Sequence, residues 1–204
     1  MYDTAEEDLR RALAYCNANV DFVCVCGDLT DKGTEEELTL YKTVTDACLT
    51  NIPIYAIAGN HEHYADTSGS YLEMYTGQSL YYTFEQGDDL FIMLGVVSGT
   101  EGAIFAEGEL QWLYDTLENN RHKKRIFVFE HILAEESSGD ILNIYPWTKL
   151  TTSTEAAVFK SLLKHYPNIV WFHGHSHMMF ELQKHGEQAN VDKVFGCHSV
   201  HIPS

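Results

Sequence analysis

Residues 20–31 read Val20-Asp21-Phe22-Val23-Cys24-Val25-Cys26-Gly27-Asp28-Leu29-Thr30-Asp31. The apolar run Val20 to Cys26 predicts a buried strand that delivers Gly27-Asp28 at its carboxyl end. Outward from it, Leu9, Leu13 and Cys16 recur at helical spacing behind a Thr4/Glu7 capping box, so a helix is expected upstream. Downstream, Thr34 and Glu37 form a second capping box, and Leu38, Tyr41, Thr45 and Cys48 supply an apolar stripe. Pro53 then opens a short strand, Ile54 to Ala58, that runs into Gly59-Asn60. Apolar strands alternating with amphipathic helices predict a layered α/β sheet covered on both faces. Ligands in such folds gather beyond the carboxyl ends of the strands.

The rest of the chain continues the pattern. A short helix is expected around Tyr71 to Tyr75, and a hairpin from Tyr81 to Glu85 and Leu90 to Val97 across Gly87-Asp88-Asp89. Leu110, Leu113 and Leu117 mark a third helix, and Arg125 to Glu130 a strand that ends on His131. Residues 132–152 read as a long connection, and loops of that length are commonly functional. Thr152 and Glu155 cap a fourth helix; Asn168 to Phe172 is a strand delivering Gly174-His175. Met178 to Gln183 and Val191 to His198 are expected to form a last hairpin.

Four polar motifs therefore follow strands: Gly27-Asp28-Leu29-Thr30-Asp31, Gly59-Asn60-His61-Glu62, His131, and Gly174-His175-Ser176-His177. A carboxylate such as Asp28 can bridge two cations at the ~3.5–4 Å separation of two-metal sites, which attack phosphate esters. Asn60 offers a neutral oxygen, and His131, His175 and His177 offer imidazole nitrogens. His61 is placed to protonate a leaving oxygen, with Glu62 orienting it or raising its pKa. Asp31, His63 and His173 are expected beside the site rather than on the metal. The mixed oxygen and nitrogen set suits Mn, Fe or Zn better than Ca. The remaining histidines, His201 among them, read as surface or structural.

Composition narrows the partners. At 204 residues, 45% apolar, the chain is sized for one domain, expected over 1–204. Its 13 basic and 30 acidic residues give a charge of −17, which argues against a long nucleic-acid track. No stretch approaches the ~18 apolar residues of a membrane span. The five cysteines match neither a zinc ribbon nor a redox pair, and core packing in a reducing compartment is the favoured reading. Met1-Tyr2-Asp3 opens no signal peptide, so a cytoplasmic address is expected.

The ordered set Gly-Asp-x-x-Asp, Gly-Asn-His-Glu, a single His and Gly-His-x-His resembles the calcineurin-like metallophosphoesterase superfamily, as does Gln111-Trp112-Leu113 on the third helix. The resemblance covers roughly residues 4–204. It implies two packed mixed sheets flanked by helices, an αββα sandwich. It implies Asp28 bridging two divalent ions, Asn60, His131 and His175 completing one site, and His177 serving the other. A metal-bound hydroxide would attack phosphorus in line, with His61 acting on the leaving group. The family opens on an Asp-x-His element, and no Asp-x-His occurs in this sequence. The expectation is thus a chain without the family's first strand, truncated upstream, with one complete metal site and impaired activity. The motif Gly27 to Gly33 lacks the Val-Asp-Arg-Gly continuation of the Ser/Thr protein phosphatases, so the substrate expected is a small-molecule phosphomonoester or phosphodiester, nucleotide-type included. The competing reading is a non-catalytic metal-binding or interaction module on the same fold.

Overall fold

The computed structural model describes residues 2–68, 70–97, 104–134, 136–139, 149–150, 154–177 and 190–202. Helix α1 (Tyr2–Asn19) leads to strand β1 (Val23–Cys26), helix α2 (Glu35–Cys48) and strand β2 (Ile54–Ile57). A 3₁₀ turn (His61–His63) and α3 (Ser70–Thr76) precede the hairpin β3 (Tyr81–Gln86) and β4 (Asp89–Leu94). Then come α4 (Glu109–Asn119), β5 (Ile126–Glu130), β6 (Leu133–Ala134), β7 (Lys149–Leu150), α5 (Thr154–His165) and β8 (Ile169–His173). The hairpin β9 (Val191–Val194) and β10 (Cys197–His201) is last.

The large sheet has the order β3-β4-β5-β8-β10-β9. Its four inner strands are parallel, and the two edge strands β3 and β9 are antiparallel to their neighbours. Strict alternation along the inner strands builds two cores. Leu90, Ile92, Leu94, Ile126, Val128, Ile169 and Trp171 point to one face, where Leu113 and Leu117 of α4 and Phe159 and Leu163 of α5 cover them. Phe91, Met93, Phe129 and Phe172 point to the other face and meet Cys24, Cys26, Tyr55 and Ile57 of the parallel pair β1–β2. The β1–β2 pair thus packs on the large sheet, and α2 is the helix that connects its two strands. The layers run helix, sheet, sheet, helix, the order expected for the αββα sandwich. The smaller sheet is purely parallel among the described residues, and the larger one is mixed.

Several boundaries differ from expectation for identifiable reasons. Helix α1 begins at Tyr2, so Thr4 lies within it; Glu6 and Glu7 in its opening turns suit the positive end of a helix. Val20 donates its N–H to the Cys16 carbonyl and belongs to the end of α1, so β1 starts only at Val23. The Val191–His198 run is two strands, because Phe195 and Gly196 both take positive φ and form a two-residue hairpin turn. The 132–152 connection contains a short parallel pair, Leu133–Ala134 with Lys149–Leu150. The Met178–Gln183 strand and Thr152 lie outside the described residues. The Thr34/Glu37 capping box is present as read. No helix among the described residues is long and apolar enough to cross a membrane.

One buried acid makes stability depend on pH. Glu109 opens α4 fully buried; one oxygen accepts from Ala106 N–H at 2.8 Å and the other has no partner. Burial, then the charge of Glu155, push its carboxyl up to about 8 from 4.5. Between those values the unfolded chain ionises while the folded chain keeps the proton. Stability therefore falls as pH rises through that window and is flat above it. Glu109→Gln is expected to stabilise the protein at pH 8 by up to about 3 kcal/mol, and by much less at pH 5. Urea denaturation at both pH values checks this; an equal effect at both would contradict it.

Candidate metal centre

The strand ends β1, β2, β5 and β8 deliver their loops to one place. His131 Nδ1 bonds the Cys26 carbonyl at 2.7 Å, tying the end of β5 to that of β1. Gly174 N–H donates to the His131 carbonyl at 3.0 Å, which ties in β8. The approach is close enough to demand glycine twice. A Cβ on Gly59 would lie 2.2 Å from Asp28 Oδ1, and one on Gly27 would lie 2.6 Å from His131 Nδ1. Gly27 also has a φ of +85°, a region side-chain-bearing residues avoid. Asp28 itself sits at φ +53° and His175 at φ +67°, so two of the converging residues hold backbone conformations that cost energy and persist because their surroundings fix them.

His131 Nε2 is the centre of the cluster. It lies 3.2 Å from Asp28 Oδ2, 3.2 Å from Asn60 Oδ1 and 3.1 Å from His175 Nδ1. Asp28, His131 and His175 each offer a ligand atom, and the three atoms lie within 4.8 Å of one another. Because His131 Nδ1 donates to a carbonyl, its proton is there, and Nε2 presents a lone pair in the neutral ring. Asn60 Nδ2 donates to the Tyr64 hydroxyl at 2.7 Å, which turns its carbonyl oxygen inward. Four acceptor atoms thus face one another around a small space. Such a set repels itself unless a cation sits among them, and carboxylate, carboxamide and imidazole donors fit a divalent transition metal. The electrostatics carry the same demand. Burial alone would raise Asp28, but the hydrogen bond and charge of His131, then the charge of His61, outweigh it and lower its pKa. Burial would lower His131, but Asp28 outweighs that and raises its pKa, so without a metal a proton on Nε2 meets the same demand for positive charge among the acceptors. Burial and the His131 charge push His175 down to about 3.

The other sequence candidates are placed as follows. His61 lies at the mouth: Nδ1 donates to the Asp31 carbonyl at 2.7 Å, and Nε2 lies 3.8 Å from Asp28 Oδ2. Side-chain exposures of 27% for His61 and 20% for Asp28 leave both open to a ligand. Asp31 thus meets the site through its backbone. Glu62 was expected to orient or tune His61; instead its buried carboxylate accepts from the N–H groups of Asp28, Thr30 and Gly59 and from the Thr30 hydroxyl. It staples the β1 and β2 loops together. His63 is buried with Nε2 on the Val96 carbonyl. His173 is buried below it, bonded to Ser138 and Ser199. His177 is exposed and is not part of the close group of ligand atoms.

Sequence reading missed Thr30 as a Glu62 partner and Tyr64 as the group that orients Asn60. Tyr64 also lies against the His61 ring, with centroids 4.7 Å apart. Its place one turn after Asn60 is the only signal for it. Tyr64→Phe keeps the ring and removes the acceptor for Asn60 Nδ2. It is expected to weaken metal affinity about 10-fold with folding stability nearly unchanged. Isothermal titration with Mn(II) reads the effect; an unchanged affinity would show that Asn60 needs no such partner.

Comparisons with known proteins bear on the family and the fold. The family model described as calcineurin-like phosphoesterase matches residues 3–179. A curated protein of Arcobacter nitrofigilis named "Probable glycerophosphodiester phosphodiesterase GpdQ" is 28% identical over 142 residues, covering 61% of this chain and 48% of that protein. The chain thus spans about half the length of that relative. A purple acid phosphatase from yellow lupin (Lupinus luteus) seeds superposes with a TM-score of 0.63 at 13% identity, covering 83% of this chain and 33% of that one, which shows a shared fold. With the matched family model covering most of its length and the strand-end site in place, the chain belongs to the calcineurin-like phosphoesterase family.

Proposed function

We propose that this chain carries the active site of a metal-dependent phosphoesterase acting on small-molecule phosphodiesters or phosphomonoesters. The observation that carries the reading is the group of four inward-facing ligand atoms, three of them within 3.2 Å of the fourth, His131 Nε2. Asp28, Asn60, His131 and His175 would hold one Mn, Fe or Zn ion. Asp28 and His177 are what these residues offer a second. When bound, such ions draw charge from the phosphoryl oxygens and lower the pKa of water.

The chain's own residues supply the rest. His61, with Nδ1 fixed on the Asp31 carbonyl, turns Nε2 toward the cleft. As the water oxygen bonds to phosphorus and the P–O bond to the alcohol breaks, the alcohol oxygen takes the Nε2 proton of the doubly protonated His61 ring, and the proton shed by the water passes to solvent. Glu62 keeps Asp28 and Gly59 at the spacing this requires. A groove of about 300 Å³ borders Asp28, lined by Leu9, Leu40 and Tyr41 and acidic at Glu6 and Asp31. Its size and sign favour a small alcohol group over a polyanionic strand. The relative's printed name, a glycerophosphodiester phosphodiesterase, supports the diester class. The five free cysteines support a reducing, cytoplasmic setting.

The test is metal content together with hydrolysis of bis(p-nitrophenyl) phosphate and p-nitrophenyl phosphate after loading with Mn, Fe(II) or Zn. One tightly held ion with slow turnover of the diester is expected from these 204 residues. Two tightly held ions with fast turnover would refute the single-site reading. One ion with no turnover of either ester would favour the non-catalytic metal-binding module.

A further inference from the structure

Beneath the ligand loop lies a buried polar chain that the site described above does not use. Ser176 stands between His175 at φ +67° and His177 at φ +53°. Two flanking left-handed residues with side chains make this turn unfavourable unless something holds it. Ser176 is 1% exposed, and its Oγ lies 2.8 Å from Nε2 of His201. His201 is equally buried at the end of β10, and its Nδ1 lies 2.9 Å from Asn190 Oδ1. With Asn190 presenting an oxygen, Nδ1 donates, and Nε2 therefore accepts the Ser176 hydroxyl proton. Burial, then the charge of His177, push the His201 pKa down to about 4, so the ring is neutral and fit for this dual role.

The anchor is itself held rigidly. His201 N–H donates to the Asn190 carbonyl at 2.7 Å, and Ile202 N–H donates to the His173 carbonyl at 2.7 Å. His201 pairs in register with His173, the last residue of β8 before Gly174-His175. A Cβ on Gly139 would lie 2.3 Å from His201 Cγ, so the segment after His131 presses on the same ring. Through these contacts His201 joins the end of β10 to the loops of both His131 and His175 without touching the ligand cluster.

We propose that His201 is a positioning residue: through the Ser176 hydroxyl it holds the strained His175-Ser176-His177 turn so that His175 Nδ1 faces His131 Nε2. This rests on the metal-site reading given above. The geometry gives His201 no contact with substrate.

The experiment measures Co(II) affinity and the visible Co(II) spectrum of the full chain, with amide hydrogen exchange of residues 174–177 in the metal-free protein. The proteins are wild type, Ser176→Ala, His201→Phe, His201→Gln and Asp28→Asn. Ser176→Ala is expected to weaken Co(II) binding about 10-fold and His201→Phe by roughly 10- to 100-fold. Both change the spectrum and speed exchange in the turn. His201→Gln, which keeps a hydrogen-bonding group near Ser176, is expected to fall between wild type and His201→Phe. Ser176→Ala removes one hydroxyl and keeps the packing, so it decides the matter if His201→Phe does not fold. Unchanged Co(II) affinity and spectrum in Ser176→Ala, while Asp28→Asn has lost binding, would overturn the inference and leave the metal site standing. Undiminished binding by Asp28→Asn would refute the metal-site reading, and this inference with it.

Discussion

Asp28→Asn is expected to weaken Mn(II) or Co(II) binding by at least roughly 100-fold and to abolish phosphoester hydrolysis together with it. The reason is charge as much as geometry. Asp28 is the only anion in the ring formed with Asn60, His131 and His175. The amide keeps the shape and still accepts from His61 N–H, as Asp28 Oδ1 does at 3.3 Å. It removes the charge that offsets the cation. Metal titration by calorimetry reads the effect, and circular dichroism separates it from unfolding. Retained binding would mean the ion, if any, is held elsewhere.

The largest effect on stability is expected at Glu62. Oε2 accepts from Asp28 N–H at 3.0 Å and Gly59 N–H at 2.7 Å, and Oε1 accepts from Thr30 N–H and hydroxyl at 3.0 Å each. Every one of these partners is a donor. In Glu62→Gln one oxygen becomes an NH₂ that must face two donors in a site only 2% exposed. The cost of unsatisfied buried groups puts the loss at about 3–5 kcal/mol, or a fall in Tm of the order of 10 °C. Metal affinity is expected to fall as well, because Asp28 and Gly59 lose their common clamp. A loss under about 1 kcal/mol by thermal and urea unfolding would contradict this account of Glu62.

What the sequence made legible was whatever has a one-dimensional period or a local chemical signature. Apolar runs ending in Gly-Asp, Gly-Asn and Gly-His, and the run that ends directly on His131, marked strand ends, and the structure gathers Asp28, Asn60, His131 and His175 from them. The Thr34/Glu37 box was visible because it is local. Position across the sheet was not visible. Alternation in Cys197 to His201 is that of any strand, and only pairing beside β8 places His201 under Ser176. Glu62 looked like a partner of its neighbour His61, because adjacency in sequence suggests adjacency in space. The 3₁₀ turn at 61–63 sends the two side chains different ways. Phe195-Gly196 hid its turn because phenylalanine in a left-handed conformation carries no sequence signal. His177 shared a motif with His175, yet it is exposed and apart from the close ligand group.

Diffraction from crystals soaked in manganese, recorded for anomalous scattering, bears on the ion directly. A single strong peak enclosed by Asp28 Oδ2, Asn60 Oδ1, His131 Nε2 and His175 Nδ1 is the predicted outcome. Absence of any peak there under millimolar manganese, or a strong peak only elsewhere on the molecule, would contradict it.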